Sequence, residues 1–322
     1  MALIEMKNLK KYFNNSSGVL HAVDGVNLTI NENQTLGVVG ESGCGKTTLG
    51  RTVLRMLEPT SGEIWFDGRQ ITNLNKRDTH LLRTKMQMIF QDPYSSIDPR
   101  MSITQTIAEP LKIFKLAKSK EALNKRVNEL MDMVGIASRY ANVYPHELDG
   151  GRRQRVGIAR ALALDPKFIV CDEPVSALDV SIQAQVLNLL INLQRERGLS
   201  YMFITHDLSV VKYLSNEICV MYLGCVVEKC ESKELFRNTL HPYSQALLSA
   251  ILVPDIHKKT NRILLEGEIS SPIEPPPQCR FAPRCIHSSE ECFKSEPPLI
   301  DVKDNHFVAC HKVKQQTNVK VK

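Results

Sequence analysis

Residues 40–47, with the sequence GESGCGKT, have the residue types and spacing of a phosphate-binding loop, G-x-x-x-x-G-K-[ST]. The apolar run Leu36–Val39 before them predicts a buried strand, and a helix is predicted over Lys46–Leu57. Glycines let backbone N–H groups face phosphate oxygens, and the helix N-terminus adds partial positive charge. Lys46 would place a cation between the terminal phosphates, and Thr47 would bind the Mg²⁺ that bridges them. The predicted nucleotide-binding residues are Gly40, Glu41, Ser42, Gly43, Cys44, Gly45, Lys46, Thr47 and Thr48.

Two acids follow the strand predicted at Phe168–Cys171. Asp172 at a strand end would hold Mg²⁺ through its water shell, and Glu173 would polarise the attacking water near the terminal phosphate. Two solvated acids at a strand end are the alternative, which the phosphate loop upstream disfavours. His206 follows another predicted strand, Tyr201–Thr205, and this position favours contact with the terminal phosphate over an incidental histidine.

Strand and helix signals alternate along the chain, which predicts an α/β protein with a mostly parallel sheet covered by helices. The first 40 residues indicate short strands, and the helical stretch from about 92 to 164 indicates an inserted subdomain. After His241 prolines become frequent and periodicity fades, and the polar tail Lys312–Lys322 is typical of disorder. Further elements are predicted at Met86–Phe90 (strand) and at Glu121–Val134, Val156–Leu164, Val180–Leu193 and Asp207–Leu214 (helices).

The composition is that of an ordinary globular protein, with 43% hydrophobic residues, 24% charged residues and a net charge of +6. No apolar run approaches the roughly 20 residues that a membrane helix needs, and the N-terminus lacks the apolar core of a signal peptide. We therefore expect a cytosolic chain that reaches a membrane only through partners.

The segment Leu148–Arg155, LDGGRRQR, resembles the L-S-G-G-Q signature of ABC ATPases. Other positions match the family's motifs in the family's order, from residue 1 to about 235. They are Gln91 (Q-loop), Ser176–Asp179 (D-loop), His206 (switch histidine) and Phe13 (the aromatic that stacks on adenine), with Tyr12 as the neighbouring candidate.

The resemblance implies an ABC-type P-loop ATPase with a RecA-like core. An ATPase domain would span 1–240, with a helical subdomain at about 92–164, and a cysteine-rich C-terminal extension would span 241–322. In this family two ATPase subunits meet head to tail, with ATP between the phosphate loop of one and the signature of the other. The implied catalytic residues are Lys46, Gln91, Glu173 and His206, the implied Mg²⁺ ligands are Thr47, Gln91 and Asp172, and the implied further nucleotide contacts are Phe13, Asp149, Gly150, Gly151 and Asp179.

The signature departs from the family's usual form, because its serine is Asp149 and its glutamine is Arg152. An ionised Asp149 would repel the terminal phosphate of ATP. Aspartate is also a preferred helix N-cap, so Asp149 could cap the helix that follows. The resemblance implies that this form of the signature also occurs in peptide-importer subunits.

Four of the nine cysteines, Cys279, Cys285, Cys292 and Cys310, are spaced C-x5-C-x6-C-x17-C. Four thiolates suit a 4Fe-4S cluster or a structural zinc ion, and the long uneven gaps favour iron–sulfur. Four unrelated reduced thiols are the alternative. The segments His241–Leu248 and Cys279–Cys285 look like the C-terminal extension of oligopeptide and dipeptide importer ATPases, which implies a 4Fe-4S cluster with a structural or regulatory role.

The function that this resemblance implies is ATP binding and hydrolysis that power the import of di- and oligopeptides. The implied partners are a second ABC ATPase in a heterodimer, two membrane permeases and an extracytoplasmic peptide-binding protein, with no nucleic acid. The chain would lie at the cytoplasmic face of the cell membrane as a peripheral subunit.

Three alternatives remain open. The same role for nickel or another small solute is one of them, because the ATPase does not touch the solute. A soluble ABC ATPase acting on nucleic acid or ribosomes is disfavoured by the single module and the ordinary insertion. A redox-sensing binding protein is disfavoured by the intact Lys46, Asp172 and Glu173.

Overall fold

The computed structural model describes residues 1–251, 262–265, 267, 271–303 and 305–313. The chain divides into two compact units. Unit 1 comprises Met1–Asn31, Thr35–Asn73 and Ile204–Lys322, and unit 2 comprises Glu32–Gln34 and Leu74–Phe203. The predicted polar tail lies outside the described residues from position 314 onward.

In the described part of the chain, the strands are β1 (Ala2–Asn15), β2 (Gly18–Asn31), β3 (Thr35–Val39), β4 (Ser61–Phe66), β5 (Arg69–Gln70), β6 (Met86–Ile89), β7 (Phe168–Asp172), β8 (Ser200–Ile204), β9 (Glu217–Tyr222), β10 (Cys225–Glu231), β11 (Ile300–Lys303) and β12 (His306–Val308). The α-helices of the same residues are α1 (Lys46–Val53), α2 (Lys76–Leu82), α3 (Pro93–Ser96), α4 (Ile103–Ile113), α5 (Lys120–Met133), α6 (Gly150–Leu162), α7 (Val180–Arg197), α8 (Leu208–Leu214), α9 (Ser232–Arg237) and α10 (Pro242–Ser249). No helix among them combines the length and apolar character needed to cross a bilayer.

Unit 1 contains two sets of paired strands. The first is antiparallel, in the order β2-β1-β4-β5, and the second runs β11-β12-β10-β9-β3. In the second set β3 and β9 are parallel, whereas the neighbouring pairs from β9 to β11 are antiparallel. The predicted parallel pairing thus holds for β3 and β9, whereas β10, β12 and β11, for which no strands were predicted, pair in antiparallel fashion. Antiparallel pairing needs only a tight turn between strands, as at Leu223 and Gly224 between β9 and β10.

The strands near the N-terminus are longer than the short strands that the sequence predicts. β1 and β2 each span 14 residues. Register shifts between Met6 and Leu9 and between Leu9 and Lys11 interrupt the alternation of buried and exposed residues, so one long bulged strand has the pattern of several short ones.

Unit 2 combines the strands β8-β7-β6 with a group of helices. β6 and β7 are parallel, and β7 is buried throughout. Ser102 begins α4 through a capping box with Gln105, and α4 buries Ile103, Ile107 and Leu111. α5 and α6 contribute further apolar side chains, which are Val127, Leu130, Met131, Val156, Ile158 and Ala159.

Three predicted helix boundaries are wrong by four residues or more. α7 ends at Arg197 instead of Leu193, where Gly198 follows in a left-handed conformation. α1 ends at Val53 instead of Leu57, because Arg55 adopts a left-handed backbone with φ 56° that cannot continue a helix. α6 begins at Gly150 instead of Val156. Two consecutive glycines disfavour a helix in isolation, but the Asp149 cap starts the helix in front of them.

Residues after 240 contact β10 through the buried carboxylate of Glu228, which is 0% exposed. Its oxygens accept the N–H groups of Leu240 (2.8 Å) and His241 (3.1 Å), and Oε1 lies 2.8 Å from Nε2 of His306. His241 in turn caps α10, because its Nδ1 accepts the N–H of Tyr243 at 3.1 Å. An imidazole that accepts at Nδ1 must be neutral.

Burial lowers the pKa of His241 from 6.5 to about 4. The unfolded chain therefore binds a proton at this histidine near pH 6.5, whereas the folded chain resists protonation until about pH 4. The contribution of neutral His241 to the free energy of unfolding is fully present well above pH 6.5, and it is lost as the pH falls from 6.5 towards 4. Between pH 7.5 and pH 5 we expect a loss of about 2 kcal/mol in the free energy of unfolding from this residue.

Urea denaturation at both pH values checks this expectation. The variant His241→Gln keeps an acceptor for Tyr243 but should lose that part of the pH dependence. The matched variant of an exposed histidine, His287→Gln, should keep it. Equal pH dependence in wild type and His241→Gln would contradict the assignment.

Candidate functional site

The phosphate loop of unit 1 connects the buried strand β3 to α1. Gly40 and Gly45 have positive φ angles of 153° and 105°. A Cβ atom at Gly40 would lie 2.2 Å from the carbonyl oxygen of Met221, and one at Gly45 would lie 2.0 Å from that of Ala22. Any side chain at either position would displace backbone, so both positions require glycine.

Lys46 begins α1 and is 5% exposed. Its Nζ donates hydrogen bonds to the carbonyl oxygens of Gly40 and Glu41, both at 2.9 Å. The ammonium group is thus enclosed by the backbone of its own loop. The thiol of Cys44 lies 3.7 Å from the same Nζ, and burial raises its pKa, which keeps the thiol protonated.

Other predicted residues of unit 1 lie on β1 and in the turn before α8. Tyr12 stacks on His21 with ring centroids 3.9 Å apart, and its hydroxyl donates to Asp24 at 2.5 Å. The Phe13 ring is half-exposed, and no ring of the described residues is stacked on it. Nζ of Lys11 lies 4.8 Å from the centroid of the Phe13 ring. Because Tyr12 already has a stacking partner, Phe13 remains the better adenine candidate.

His206 follows Thr205, whose N–H donates to the carbonyl oxygen of Val38 on β3 at 3.2 Å. Asp207 comes next and caps α8. The exposed imidazole is thus placed by a residue bonded to the strand that leads into the phosphate loop.

In unit 2 the structure brings two predicted catalytic residues together. Nε2 of Gln91 donates to Oε2 of Glu173 at 2.9 Å. Asp172, at the end of β7, is 2% exposed. Glu173 has φ 45°, a left-handed conformation that costs a non-glycine residue free energy. The sequence carries no signal for this backbone conformation.

The signature segment of unit 2 begins α6. Oδ1 of Asp149 accepts the N–H of Arg152 at 2.7 Å, so the predicted capping role of Asp149 is confirmed. Its other carboxylate oxygen pairs with the Arg152 guanidinium, which offsets part of its negative charge. A Cβ atom at Gly151 would lie 2.5 Å from Cγ2 of Ile182 on α7, so this glycine permits α6 to pack closely against α7.

Asp179, the acid of the predicted D-loop, caps α7. Its Oδ1 accepts the N–H of Ile182 at 3.0 Å and the hydroxyl of Ser181 at 2.7 Å. The hydrogen bond from Ser181 and then that from the Ile182 backbone lower the pKa of Asp179, so the cap stays ionised. The signature also packs against the D-loop itself, because a Cβ atom at Gly150 would lie 3.1 Å from Cδ2 of Leu178.

Comparisons with known proteins agree with these motifs. A model of the ABC transporter family matches residues 23–176. The oligopeptide transport ATP-binding protein OppF of Bacillus subtilis is 54% identical over 309 residues, 96% of this chain and 96% of that protein. OppF of Escherichia coli is 48% identical over 311 residues, 96% of this chain and 93% of that protein. The chain belongs to the ABC transporter family.

Solved structures place this ABC transporter chain among the ATPase cassettes. The dimeric cassette MJ0796 bound to ADP and phosphate is 31% identical, with a TM-score of 0.66, and the match covers 71% of this chain and 99% of that one. The cassette cbiO1 of Clostridium perfringens is 28% identical with a TM-score of 0.66, over 74% of this chain and 91% of that one. The chain is an ABC-type ATPase.

A second family model, the C-terminal region of oligopeptide/dipeptide transporters, matches residues 227–292 of the ABC chain. All four clustered cysteines line one cavity of about 110 Å³, together with His241, His287 and His311. Burial raises the pKa of Cys279 to about 11, and the N–H of Cys279 donates to the carbonyl oxygen of Cys292 at 2.9 Å. Among the described residues, no three His, Cys, Asp or Glu side chains come close enough to hold a metal ion.

The sequence did not reveal two ion pairs made by residues after 240, one of which reaches the phosphate loop. Arg284 pairs with Glu41 of the phosphate loop, and Arg280 pairs with Asp24 on β2. Both arginines lie in Cys279–Cys285, which the sequence matches to the C-terminal extension of peptide-importer ATPases. The sequence gives no sign of their ion-pair partners, which only the fold brings close.

The contact between Gln91 and Glu173 supports a test of the predicted base. Glu173→Gln is nearly isosteric and leaves an oxygen that can accept from Gln91, but it removes the carboxylate that would polarise water. We expect ATP turnover by the assembled transporter to fall by at least about 100-fold, while ATP binding persists and the ATP-bound complex accumulates.

Phosphate release and nucleotide binding measure the two effects separately. Glu196→Gln, at an exposed position of α7, is the matched control and should leave turnover at the wild-type level. Undiminished turnover in Glu173→Gln would show that another group is the base.

Proposed function

We propose that this chain is the ATP-binding and hydrolysing subunit that powers import of di- and oligopeptides through an ABC transporter. The match of the oligopeptide/dipeptide transporter C-terminal region at residues 227–292 carries the choice of substrate class. The phosphate loop and signature alone are common to ABC ATPases with many cargoes. Near full-length similarity to oligopeptide transport ATP-binding proteins, such as OppF of Bacillus subtilis at 54% identity, supports the same choice.

The proposed ATP site assigns each motif a chemical role. Backbone N–H groups of Gly40–Thr48 and the Lys46 ammonium group bind the phosphates, and Phe13 stacks on adenine. The Thr47 hydroxyl, Gln91 and, through water, Asp172 would hold Mg²⁺, which would supply charge neutralisation at the phosphates. Glu173 polarises the attacking water, and His206 orients it. The segment 149–151 and Asp179 contact the ATP bound by the partner ATPase.

The proposed domains follow from this assignment. Residues 1–240 form the ATPase domain, and 241–322 form a cysteine-rich extension. The helices between about 92 and 164 form an inserted subdomain that, with Gln91, couples ATP hydrolysis to the membrane subunits. The partners are a second ABC ATPase, in a heterodimer, two permeases and an extracytoplasmic peptide-binding protein, with the chain peripheral at the cytoplasmic face.

The same proposal assigns a 4Fe-4S cluster to Cys279, Cys285, Cys292 and Cys310. Thiolates are the ligands that such clusters need, and the lining of one cavity by all four thiols supports the proposal, although among the described residues no three of them are close enough together to hold a single metal ion. Such a cluster would serve a structural or regulatory purpose, since ATP hydrolysis needs no redox step.

Transport in cells tests the substrate class. In cells that lack this gene, uptake of labelled di- and oligopeptides should fall, and a plasmid with the wild-type gene should restore it. The variant Glu173→Gln should not restore it, because it lacks the proposed base. Nickel uptake, measured in parallel, should be unchanged. Loss of nickel uptake alone would replace the peptide assignment with a metal importer.

Metal analysis tests the cluster. Protein purified without oxygen should contain about four iron and four acid-labile sulfide per chain. Cys279→Ser should lose most of both, whereas Cys230→Ser, at a buried cysteine outside the cavity, should keep them. Stoichiometric zinc without sulfide would overturn the cluster assignment.

A further inference from the structure

Arg284 forms a two-point ion pair with Glu41, a residue of the phosphate loop. Its Nη1 lies 2.7 Å from Oε2 of Glu41, and its Nη2 lies 3.1 Å from Oε1. The Arg284 side chain is 8% exposed and that of Glu41 is 22% exposed. A bidentate, largely buried pair of this kind is among the strongest and most directional polar contacts in proteins.

The surroundings of Arg284 fix the direction of its guanidinium group. Arg284 ends the short 3-10 turn Ala282–Arg284, and its Nη1 also donates to the hydroxyl of Tyr222 at 3.4 Å. Tyr222 packs against Tyr243 and Phe281 with ring centroids 4.7 and 5.2 Å apart. The arginine therefore projects from a packed aromatic cluster instead of a free loop.

Glu41 is held a second time by the same part of the chain. The Tyr243 hydroxyl accepts the N–H of Glu41 at 2.8 Å. The carbonyl oxygen of Glu41 accepts from Nζ of Lys46 at 2.9 Å. Glu41 therefore connects Arg284 and Tyr243 to Lys46. Its side chain pairs with Arg284, its N–H bonds Tyr243, and its carbonyl oxygen bonds the ammonium group of Lys46.

We propose that Arg284 is a positioning residue for nucleotide binding, which holds Glu41 so that the phosphate-loop backbone and Lys46 keep the conformation that binds phosphates. Arg284 also offsets the charge of the Glu41 carboxylate, which would otherwise repel the phosphates. This inference rests on the phosphate-binding role proposed above for Gly40–Thr48. It goes further by making a residue far from the ATPase motifs a determinant of ATP affinity.

A double-mutant cycle in the full-length chain tests the proposal. Arg284→Met should raise the Kd for a fluorescent ATP analogue with Mg²⁺ about tenfold, because it leaves an unpaired carboxylate in the loop. Glu41→Gln alone should weaken binding less, since Tyr243 still holds the backbone. The double variant should bind no more weakly than Arg284→Met, because both changes remove the same contact.

Arg280 offers a matched control from the same segment. Its side chain is 6% exposed and pairs with Asp24, so it resembles Arg284 in burial and charge but not in partner. The effects of Arg280→Met and Glu41→Gln on the Kd should multiply. Arg284→Lys keeps the charge without the two-point geometry and should give an intermediate Kd.

Kinetics of the assembled transporter separate positioning from a structural role. Arg284→Met should raise the KM for ATP while kcat stays within about twofold of wild type. A lower thermal midpoint with an unchanged Kd would overturn the proposal and leave Arg284 a stability residue. Multiplied effects of Arg284→Met and Glu41→Gln would also overturn it, as would a loss of kcat without a change in KM.

Lys46→Ala distinguishes failure of this inference from failure of the phosphate-loop assignment. If Lys46→Ala retains wild-type affinity, the assignment and the inference both fail. If Lys46→Ala loses binding while Arg284→Met binds normally, only the positioning role is overturned. If Lys46→Ala and Arg284→Met both lose ATP affinity, and the effects of Arg284→Met and Glu41→Gln are not additive, the phosphate-loop assignment and the positioning role are both supported.

Discussion

The close approach of two glycines to neighbouring backbone is the constraint on which the candidate site depends. Gly40 leaves no room for a Cβ atom beside the carbonyl oxygen of Met221, and Gly45 leaves none beside that of Ala22. The backbone of β9 at Met221 and of β2 at Ala22 therefore restricts the path of the phosphate loop. With the loop in this conformation, Nζ of Lys46 bonds the carbonyl oxygen of Gly40. The same conformation places Glu41 in contact with Tyr243 and Arg284.

Aspartate side chains at helix N-termini are a second constraint on the candidate site. Asp92, Asp149, Asp179 and Asp207 each accept a backbone N–H at the first turn of a helix. Two of them directly follow predicted catalytic residues, Gln91 and His206. A cap stabilises a helix by about 1 kcal/mol and fixes where the helix begins. The short connections that carry the polar groups are consequently held between a strand and a defined helix start. In the signature, the same role gives Asp149 a structural purpose that serine would share.

Local patterns predicted the local parts of this site. The phosphate loop, the strand that ends at Asp172 and the helix that follows Asp179 all lie where their sequences indicate, because each is defined by neighbours in the chain. α6 starts at Gly150 rather than at Val156, because the Asp149 cap begins the helix in front of two glycines whose helix propensity is low. The left-handed backbone of Glu173 has no sequence signal. Arg284 and Glu41 are 243 positions apart, and only tertiary structure brings them together.

The region after residue 240 is thus a structural part of the nucleotide-binding unit. β12 pairs with β10, and buried Glu228 bonds both the start of α10 and His306. Cys279 and Cys285 flank the segment whose two arginines pair with Asp24 and Glu41. The cavity that the four thiols line also contains Phe281 and Ala282, which lie between the two arginines in the chain. Because Arg284 adjoins Cys285, a displacement of that cysteine would be transmitted to Glu41 through one bidentate ion pair. The ion pair thus links the segment between Cys279 and Cys285 to the loop residue that Arg284 is proposed to position.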